Sequence, residues 1–319
     1  MSTKTARVRV GLIGCGRMGQ NHLRVLSLLK NVEIAFVYDA NPDVANRMSE
    51  VYGIPTGSEL ELLLPRASAV VICTPTTSHS EMLRLSARYV QNIFIEKPLS
   101  HNLESTLEDA RFIADNDLNV QVGFIERFNP AVQQLNSVLE QSEQVISIDF
   151  TRTNKLSSRI TDVDVVADLM IHDIDLALYL NGPVKNLFAQ GLVVDGMIAL
   201  ASAQLTHENG RFSRIHASRV TEKKLRQIQA TCVDAFVDCE LVRKELIIHR
   251  QSQIQQSEGG PYVISAIEQT VEVRQQEALL SELQAFVRSC GGERGLGPNE
   301  IDALSAAQIC EQVQKAILK

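Results

Sequence analysis

The first 125 residues alternate between short runs of consecutive apolar residues and longer stretches with the periodicity of an amphipathic helix. Strands with apolar residues at consecutive positions are buried on both faces, and helices between them provide right-handed crossovers. The pattern therefore predicts a doubly wound parallel α/β sheet over residues 1–125. The predicted strands are "RVRVGLI", "VEIAFVYD", "SAVVICTP", "NIFIEKP" and "NVQVGF", with helices such as "MGQNHLRVLSLL" and "HSEMLRLSARYV" between them.

Beyond about residue 145 the strand candidates become longer and partly alternate between apolar and polar positions, as in "VISIDFTRTN" and "MIALASAQLTH". Successive strands with few helices between them indicate a largely antiparallel sheet. One helix is predicted at about 165–180, and two more, "EALLSELQAFVRSC" and "NEIDALSAAQICEQVQKAIL", close the chain. We therefore expect a second, α+β domain over residues 126–319, with a C-terminal helix that packs back on the first domain.

With 319 residues, of which 45% are hydrophobic and 22% charged, the chain is long enough for two domains with substantial cores. A formal net charge of −7 gives no general attraction to nucleic acid or to an anionic membrane surface. There is no apolar run of membrane-spanning length, and "MSTKTARVRV" lacks the features of a signal peptide, so a cytoplasmic location is expected. The six cysteines are scattered without a CxxC pair and are interpreted as reduced core residues.

The stretch "VGLIGCGRMGQNH" places three glycines, Gly14, Gly16 and Gly19, in a GxGxxG spacing between a predicted strand and a predicted helix. In a dinucleotide-binding loop the first glycine allows the tight turn, the second lets backbone amides approach a pyrophosphate, and the third lets the helix pack close to the sheet. The free N–H groups and the positive dipole end of the helix add to the attraction for phosphate. An ordinary tight turn has the same appearance, so the loop by itself leaves both interpretations open.

Asp39 ends the second predicted strand, about twenty residues after the last glycine of the loop. A carboxylate at that position accepts hydrogen bonds from the adenosine ribose and repels a 2′-phosphate, which favours NAD over NADP. Arg47 keeps NADP open, because one nearby cation could compensate the repulsion. The alternative for Asp39 is a turn or capping acid beside Asn41 and Pro42.

Unusual residues follow the third and fourth predicted strands, in "VVICTPTTSH" and "NIFIEKP". In open α/β sheets ligands bind at the carboxyl ends of the strands, so these residues are expected on the cofactor side. Pro98 disfavours the α conformation at Lys97 and keeps that residue in extended backbone beyond its strand. A solvated surface lysine is the alternative for Lys97. The residues concerned are Thr74, Pro75, His79, Glu96 and Lys97.

In "ADLMIHDIDLAL" three polar side chains, Asp168, His172 and Asp175, have the spacing of one face of an otherwise apolar helix. A polar stripe costs burial free energy unless it is hydrogen-bonded or faces a cleft. A functional site and a hydrogen-bonded structural trio therefore stand as two interpretations. A metal site built on His172 with Asp173 or Asp175 is disfavoured, because no second cluster has ligand spacing, and no metal is expected.

Taken together, "GLIGCGRMG", "VYDANPD", "CTPTTSH", "IEKP", "VGFIERFNP" and "DLMIHDID" resemble the motifs of the Gfo/Idh/MocA oxidoreductases, the glucose-fructose oxidoreductase and inositol dehydrogenase family. The resemblance extends over most of the chain and depends mainly on Glu-Lys-Pro together with DxxxHxxD. It implies a Rossmann domain that binds NAD. It also implies a second domain whose large open-faced sheet pairs subunits into a homodimer or a homotetramer.

The resemblance implies roles for individual residues as well. Lys97 would orient the substrate hydroxyl and tune its acidity, His172 would be the general base, and Asp168 would orient His172 or hold the substrate. Removing a hydride from a secondary alcohol needs a base, which histidine supplies, while nicotinamide accepts the hydride. Thr76 stands where the family often has asparagine, which puts that cofactor contact in doubt. Contacts with NAD are expected from Gly14, Gly16, Arg17, Met18, Gly19, Asp39, Thr74, Pro75, His79, Glu96 and Lys97.

The segments "VGFIERFNPAV", "LMIHDIDLALYL" and "HASRVTEKKLRQ" are similar to the branch of the family that contains UDP-N-acetylglucosamine 3-dehydrogenases. This implies a nucleotide-activated amino sugar as substrate, oxidised at a ring hydroxyl. Substrate contacts are expected from Lys97, Arg127, Asn129, Asp168 and His172. Candidate diphosphate ligands are Arg127, Asn129, Arg219, Lys223, Lys224 and Arg226, with a solvated strand and turn as the alternative for the basic run. An inositol or free-sugar dehydrogenase and a non-catalytic NAD-binding regulator also remain open.

Overall fold

The computed structural model describes residues 7–155, 163–255 and 263–319 of the chain. These residues form two compact units. Unit 1 comprises the chain up to Ile125 together with Glu277–Ala307, and unit 2 comprises Glu126–Gln276 together with Gln308–Lys319. The glycine loop and Lys97 therefore belong to unit 1, and the polar helix with His172 belongs to unit 2.

The sheet of unit 1 has five strands, which are β1 (Val8–Ile13), β2 (Val32–Tyr38), β3 (Ala69–Ile72), β4 (Asn92–Glu96) and β5 (Asn119–Gly123). All are parallel, and they lie in the order β2-β1-β3-β4-β5. The strand order thus reverses at β1, and the crevice beside such a switch point, at the carboxyl edge, is where sheets of this kind bind ligands. The predicted doubly wound parallel sheet is confirmed.

Helices connect the strands of unit 1, as the crossovers of a parallel sheet require. In chain order, the helices of the described residues in both units are α1 (Arg17–Leu28), α2 (Pro42–Tyr52), α3 (Leu60–Leu63), α4 (His79–Ser86), α5 (Leu103–Asp115), α6 (Pro130–Gln141), α7 (Ile171–Asn181), α8 (Ala278–Cys290) and α9 (Glu300–Ile317). Short 3₁₀ turns lie at Leu64–Arg66, Thr76–Ser78 and Ile125–Phe128, and a π-helical turn at Val166–Met170. None of the helices in the described ranges is both long and apolar enough to span a membrane.

The core of unit 1 contains apolar side chains from the sheet and from the helices that cover it. All four residues of Ala69–Ile72 are buried, which explains the consecutive apolar run in the sequence. Helix α8 belongs to this unit, because Leu283 and Phe286 are fully buried in the same cluster as Val10 of β1. Phe286 also meets Phe94 edge to face, with ring centroids 5.7 Å apart. The chain therefore returns to unit 1 after it has formed most of unit 2.

The sheet of unit 2 has eight strands, which are β6 (Val145–Thr153), β7 (Val184–Val194), β8 (Met197–His207), β9 (Phe212–Ser218), β10 (Leu225–Cys232), β11 (Ala235–Glu240), β12 (Glu245–Gln255) and β13 (Val263–Val271). Their order is β13-β12-β11-β10-β6-β9-β8-β7. Neighbouring strands are antiparallel except for β6 and β9, which run parallel. The predicted mostly antiparallel sheet is confirmed, with one parallel pair at its centre.

The two faces of this sheet differ near its β7 edge. A Cβ added to Gly191 would lie 2.9 Å from the side chain of Ile317, so α9 covers the face to which position 191 points. Side chains alternate between the faces of a strand, so Phe188, Leu192 and Val194 point to the opposite face. They are 63%, 48% and 43% exposed, and they form an apolar patch on that face.

Candidate functional site

The GxGxxG loop links β1 to α1, and two of its glycines are required by close packing. Gly14 has a φ of +94°, which residues with a Cβ rarely adopt, and an added Cβ would lie 2.7 Å from the Thr74 nitrogen. A Cβ on Gly19 would lie 1.9 Å from the Gly14 carbonyl oxygen, because the first turn of α1 packs directly on the loop. Both positions therefore need glycine for the fold of unit 1.

Gly16 differs from its neighbours, since an added Cβ would meet nothing within 4 Å. It is the N-cap of α1, so the first N–H groups of the helix, which have no partner within it, face an open space. Arg17 and Met18 are exposed beside this space. Hydrogen-bond donors that face room left open by a glycine fit the pyrophosphate of a dinucleotide.

The carboxylate of Asp39, which follows β2, is fixed against the glycine loop by two backbone hydrogen bonds. The Cys15 N–H donates to Oδ2 at 2.7 Å, and the Asn41 N–H donates to Oδ1 at 2.9 Å. An ionised carboxylate accepts about four hydrogen bonds, so it keeps the capacity to bind ribose hydroxyls. The turn role weighed for Asp39 and the cofactor role are therefore compatible.

Thr74 and Pro75 follow β3 at the same edge of the sheet. The Thr74 hydroxyl oxygen is buried, and within the described ranges it has no hydrogen-bond partner. A buried hydroxyl without a partner costs free energy, and a ligand or water that completes it removes that cost. This hydroxyl is a third feature that fits a cofactor bound along the carboxyl edge.

His79, at the start of α4, points away from solvent. His79 is 1% exposed. Its Nδ1 lies 2.9 Å from the Pro98 carbonyl oxygen, and its Nε2 lies 3.0 Å from the Thr74 carbonyl oxygen. Burial lowers the pKa of His79. Both ring nitrogens face carbonyl oxygens, and the cofactor contact of His79 stays a prediction. The ring links the loops that follow β3 and β4.

Glu96 is the last residue of β4 and Lys97 follows it, at the same carboxyl edge of the sheet. Glu96 Oε1 lies 2.7 Å from His22 Nε2, and Glu96 Oε2 accepts the Lys97 N–H at 3.3 Å. The sequence analysis did not predict the contact between Glu96 and His22. The one feature that could have indicated it is that His22 is a polar residue on the buried face of α1. The pair holds the backbone just before Lys97, whose side chain is partly exposed.

Within the described ranges, His22, Cys73 and Glu96 bring possible metal-ligand atoms within 4.8 Å of one another. A cysteine binds metal as the thiolate, and burial raises the pKa of the Cys73 thiol well above its usual value. His22 and Glu96 already form a short hydrogen bond. The donor set therefore favours a hydrogen-bonded core cluster over a metal centre.

In unit 2, Asp168 lies within the π-helical turn and His172 lies in the first turn of α7. The Ile171 N–H donates to the Val166 carbonyl five residues earlier, and such π turns occur frequently at functional sites. Between positions 165 and 177 the partly exposed residues are Ala167, Asp168, Leu169 and His172, and the others are buried. Asp168 and His172 therefore share the exposed side of a largely buried helical segment.

Asp175, the third member of the predicted polar stripe, is 1% exposed and forms an ion pair with Arg127. Arg127 Nε and Nη2 donate to the carboxylate at 2.9 and 2.6 Å, and the guanidinium lies 5.0 Å from the centroid of the Tyr179 ring. The charge of Arg127 is thus matched by a buried carboxylate. Its role as a substrate ligand stays a prediction.

A second buried ion cluster joins Asp173 to Arg152 and Glu126. Arg152 donates to both oxygens of Asp173 at 2.9 and 2.8 Å and to Glu126 Oε1 at 2.8 Å, and Arg226 Nη1 lies 3.4 Å from the same oxygen. Burial acts to raise the pKa of Glu126, but Arg152, Arg226 and Asn129 together outweigh it and the pKa is lowered. Sequence reasoning missed Arg152, which is 2% exposed on β6. Asp173 is therefore part of the interior of unit 2.

Asn129 caps α6 and is 7% exposed. Its Oδ1 accepts the Ala131 N–H at 3.1 Å, and its Nδ2 donates to Glu126 Oε2 at 3.2 Å and to the Leu241 carbonyl at 3.3 Å. Both ends of the amide are thus used within unit 2. Helix capping gives this side chain a structural role, and the substrate contact of Asn129 stays a prediction.

The basic run after β9 divides into buried and exposed residues. Arg219 is 5% exposed and donates to Asp168 Oδ2 at 2.7 Å, and Arg226 contacts Glu126 as described above. Lys223 and Lys224 are exposed. The three arginines predicted to bind diphosphate, Arg127, Arg219 and Arg226, thus each contact a carboxylate of unit 2.

Comparison with known proteins extends these observations. Residues 8–124 match the GFO/IDH/MocA model described as an oxidoreductase family with an NAD-binding Rossmann fold, and residues 146–235 match the GFO/IDH/MocA C-terminal domain. The chain is 25% identical over 289 residues to UDP-N-acetylglucosamine 3-dehydrogenase of Acidithiobacillus ferrooxidans, with 90% of each chain covered. The solved structure of that enzyme, GnnA, covers 98% of each chain with a TM-score of 0.87 at 24% identity.

Two other relatives are similar over large parts of the chain. The uncharacterized oxidoreductase YrbE of Bacillus subtilis is 30% identical over 236 residues, which are 67% of this chain and 68% of that protein. Inositol 2-dehydrogenase of Rhizobium meliloti is 25% identical over 328 residues, with 97% of each chain covered. With the glycine loop and Asp39 in the geometry of a dinucleotide site, the chain belongs to the GFO/IDH/MocA family of oxidoreductases and contains its NAD-binding Rossmann domain.

Proposed function

We propose that the protein is an NAD-dependent dehydrogenase that oxidises a ring hydroxyl, at C3, of UDP-N-acetylglucosamine or a closely related nucleotide-activated amino sugar. The observation that carries the proposal is the exposed side of the helical segment in unit 2. The titratable residues on that side are Asp168 and His172, a carboxylate and an imidazole of the kind that proton transfer from an alcohol requires. The similarity to UDP-N-acetylglucosamine 3-dehydrogenase over 90% of the chain supports the choice of substrate.

Each residue has a defined part in the proposed reaction. His172 accepts the proton of the substrate hydroxyl, and Asp168 orients His172 or the substrate. The ammonium group of Lys97 donates a hydrogen bond to the same hydroxyl and stabilises the negative charge that develops on its oxygen. The oxidised nicotinamide of bound NAD supplies the hydride acceptor. Asp39 and the amides around Gly16 hold the ribose and the pyrophosphate.

A second candidate is an inositol or free-sugar dehydrogenase that uses the same residues. One observation favours it, since Arg127, Arg219 and Arg226 each contact a carboxylate of the protein, and a neutral polyol needs no cation. The inositol 2-dehydrogenase of Rhizobium meliloti is similar over 97% of the chain. The two candidates differ in whether the substrate carries a diphosphate.

Initial rates of NADH formation separate the candidates when UDP-N-acetylglucosamine and myo-inositol are compared at equal concentration. A carbonyl-trapping reagent is included in each assay so that an unfavourable equilibrium does not hide turnover. We expect reduction of NAD with the UDP-sugar and little or none with myo-inositol. The reverse preference would establish the second candidate, and no turnover with either would contradict both.

Replacement of Lys97 or His172 by alanine tests the assigned roles. General acid-base groups contribute about 100- to 10,000-fold, so kcat measured at saturating NAD is expected to fall by at least about 100-fold. Lys185→Ala and His101→Ala are matched controls at exposed positions. An undiminished kcat in Lys97→Ala or His172→Ala would contradict the role of that residue.

We also propose that the open face of the unit 2 sheet pairs two copies of the chain. The patch of Phe188, Leu192 and Val194 supports this, because exposed apolar side chains that share one face of a sheet are typical of an interaction surface. A two-fold interface would bring the same patch of each copy together. The expected assembly is a homodimer or a homotetramer.

A further inference from the structure

We infer that Arg219 is a positioning residue that acts through Asp168, and that it is not a ligand for the substrate diphosphate. This inference rests on the proposed function of Asp168 and His172. It replaces the expectation that Arg219 belongs to a phosphate-binding basic run.

The backbone of Arg219 is fixed by the sheet of unit 2. Arg219 directly follows β9, and its N–H donates to the Ala199 carbonyl at 2.9 Å. The carbonyl of the preceding residue, Ser218, accepts the Asn154 N–H at 2.9 Å. The side chain therefore starts from a rigid point, and only 5% of the residue is exposed.

The guanidinium holds the helical segment at two points. Nη2 donates to Asp168 Oδ2 at 2.7 Å, and Nη1 donates to the carbonyl oxygen of Val163, just before the segment begins. The Asp168 side chain remains 28% exposed, whereas that of Arg219 is 5% exposed. Arg219 therefore approaches Asp168 from the interior, and the Asp168 side chain stays partly exposed.

The backbone around Asp168 makes such external support necessary. Asp168 lies in a π-helical turn, a rare geometry that the neighbouring structure has to maintain. Asp164 contributes at its start, because its Oδ1 accepts the Val166 and Ala167 N–H groups at 2.9 Å, and its Oδ2 accepts from Gln314 at 2.8 Å. Arg219 adds a contact to the side chain of Asp168 itself.

A role as phosphate ligand conflicts with the same contacts. A phosphate bound to Arg219 would have to replace Asp168 as its partner and would have to reach a buried guanidinium. The exposed Lys223 and Lys224 meet neither obstacle. A positioning role predicts a loss of kcat when Arg219 is changed, and a ligand role predicts a loss of affinity for the diphosphate.

The test compares Arg219→Gln, Arg219→Lys and Asp168→Asn with Arg211→Gln, which removes an arginine from the other end of β9. Misplacement of a catalytic group costs about 100-fold or less, so Arg219→Gln is expected to lower kcat by about 10- to 100-fold. Arg219→Lys, which keeps the charge, should recover part of that loss. The KM for the sugar substrate and the inhibition constant of UDP should stay within about twofold of wild type, as should all constants of Arg211→Gln.

The double variant Asp168→Asn/Arg219→Gln should have a kcat no lower than that of the slower single variant, because both changes disrupt the same contact between Arg219 and Asp168. Additive losses, or a weakened inhibition by UDP with kcat unchanged, would overturn the inference. If Arg219→Gln fails to fold, judged by thermal unfolding, Arg219→Lys decides by the same comparison of kcat with KM. If Asp168→Asn keeps full activity, the proposed role of Asp168 fails; if it is impaired while Arg219→Gln is not, only the role of Arg219 fails.

Discussion

Gly16→Ala should weaken NAD binding without weakening the fold. Gly16 has a φ of −66°, which alanine adopts readily, and an added Cβ meets no atom within 4 Å. Removing a glycine from the unfolded chain stabilises a protein by about 0.4–1 kcal/mol. Placing alanine at a helix N-cap costs about the same amount, because alanine is a poor N-cap residue. The free energy of unfolding is therefore expected to change by less than about 1 kcal/mol.

The effect on NAD is larger because the new methyl group occupies the space in front of the helix N–H groups. A hydrogen bond to a charged group contributes about 1.5–3 kcal/mol. The loss of one such bond to the pyrophosphate corresponds to an increase of about 10- to 100-fold in the Kd for NAD. Isothermal titration calorimetry gives the Kd, and thermal unfolding of the same preparation without NAD gives the stability.

Gly19→Ala is the matched control for this experiment. Its Cβ would lie 1.9 Å from the Gly14 carbonyl oxygen, so the helix or the loop must move. Overpacking of this kind costs about 1–3 kcal/mol, and a lowered thermal midpoint is expected. The reasoning is refuted if Gly16→Ala binds NAD as wild type does, or if it loses stability to the same extent as Gly19→Ala.

Two further predictions concern unit 2. Arg152→Met leaves Asp173 and Glu126 with Arg226 as the remaining cation, so urea unfolding should show a loss of about 3–5 kcal/mol from an uncompensated buried charge. Arg152 lowers the pKa of Glu126 and its loss raises that pKa, so the deficit in the free energy of unfolding should shrink from about pH 8 to about pH 5 as the carboxyls take up protons. A deficit that grows toward acid contradicts this. Phe188→Glu should reduce the mass measured by light scattering to that of the monomer, whereas Leu62→Glu, at an exposed apolar residue of unit 1, should not; an unchanged mass would place the subunit interface elsewhere.

The parts of the fold that follow from the sequence are those controlled by local patterns. Buried parallel strands give consecutive apolar residues, as in Ala69–Ile72, and the GxGxxG spacing reflects the close contacts of Gly14 and Gly19. The parallel pairing of β6 with β9 could not be read in this way. The side-chain period is two whether the partner strand is parallel or antiparallel, so the pattern does not report the direction of the neighbour.

Side-chain partners brought together by the tertiary fold were also out of reach. Asp175 is 48 residues from Arg127, and Asp168 is 51 residues from Arg219, so the sequence around either arginine gave no sign that it contacts a carboxylate. His79 was placed at the correct edge of the sheet, but the direction of its ring depends on where the loop carbonyls lie. Sequence therefore indicates which edge or helix carries a residue more readily than what its side chain contacts.

The hydrogen atom that leaves the sugar gives the most direct test of the proposed reaction. UDP-N-acetylglucosamine with deuterium at C3 is incubated with the protein, NAD and a carbonyl-trapping reagent, and both products are analysed by mass spectrometry and NMR. Oxidation at C3 with transfer to nicotinamide predicts NADH that carries the deuterium and a trapped 3-keto sugar. NADH without deuterium, or no NADH from this sugar under conditions in which myo-inositol is oxidised, would contradict the proposed function.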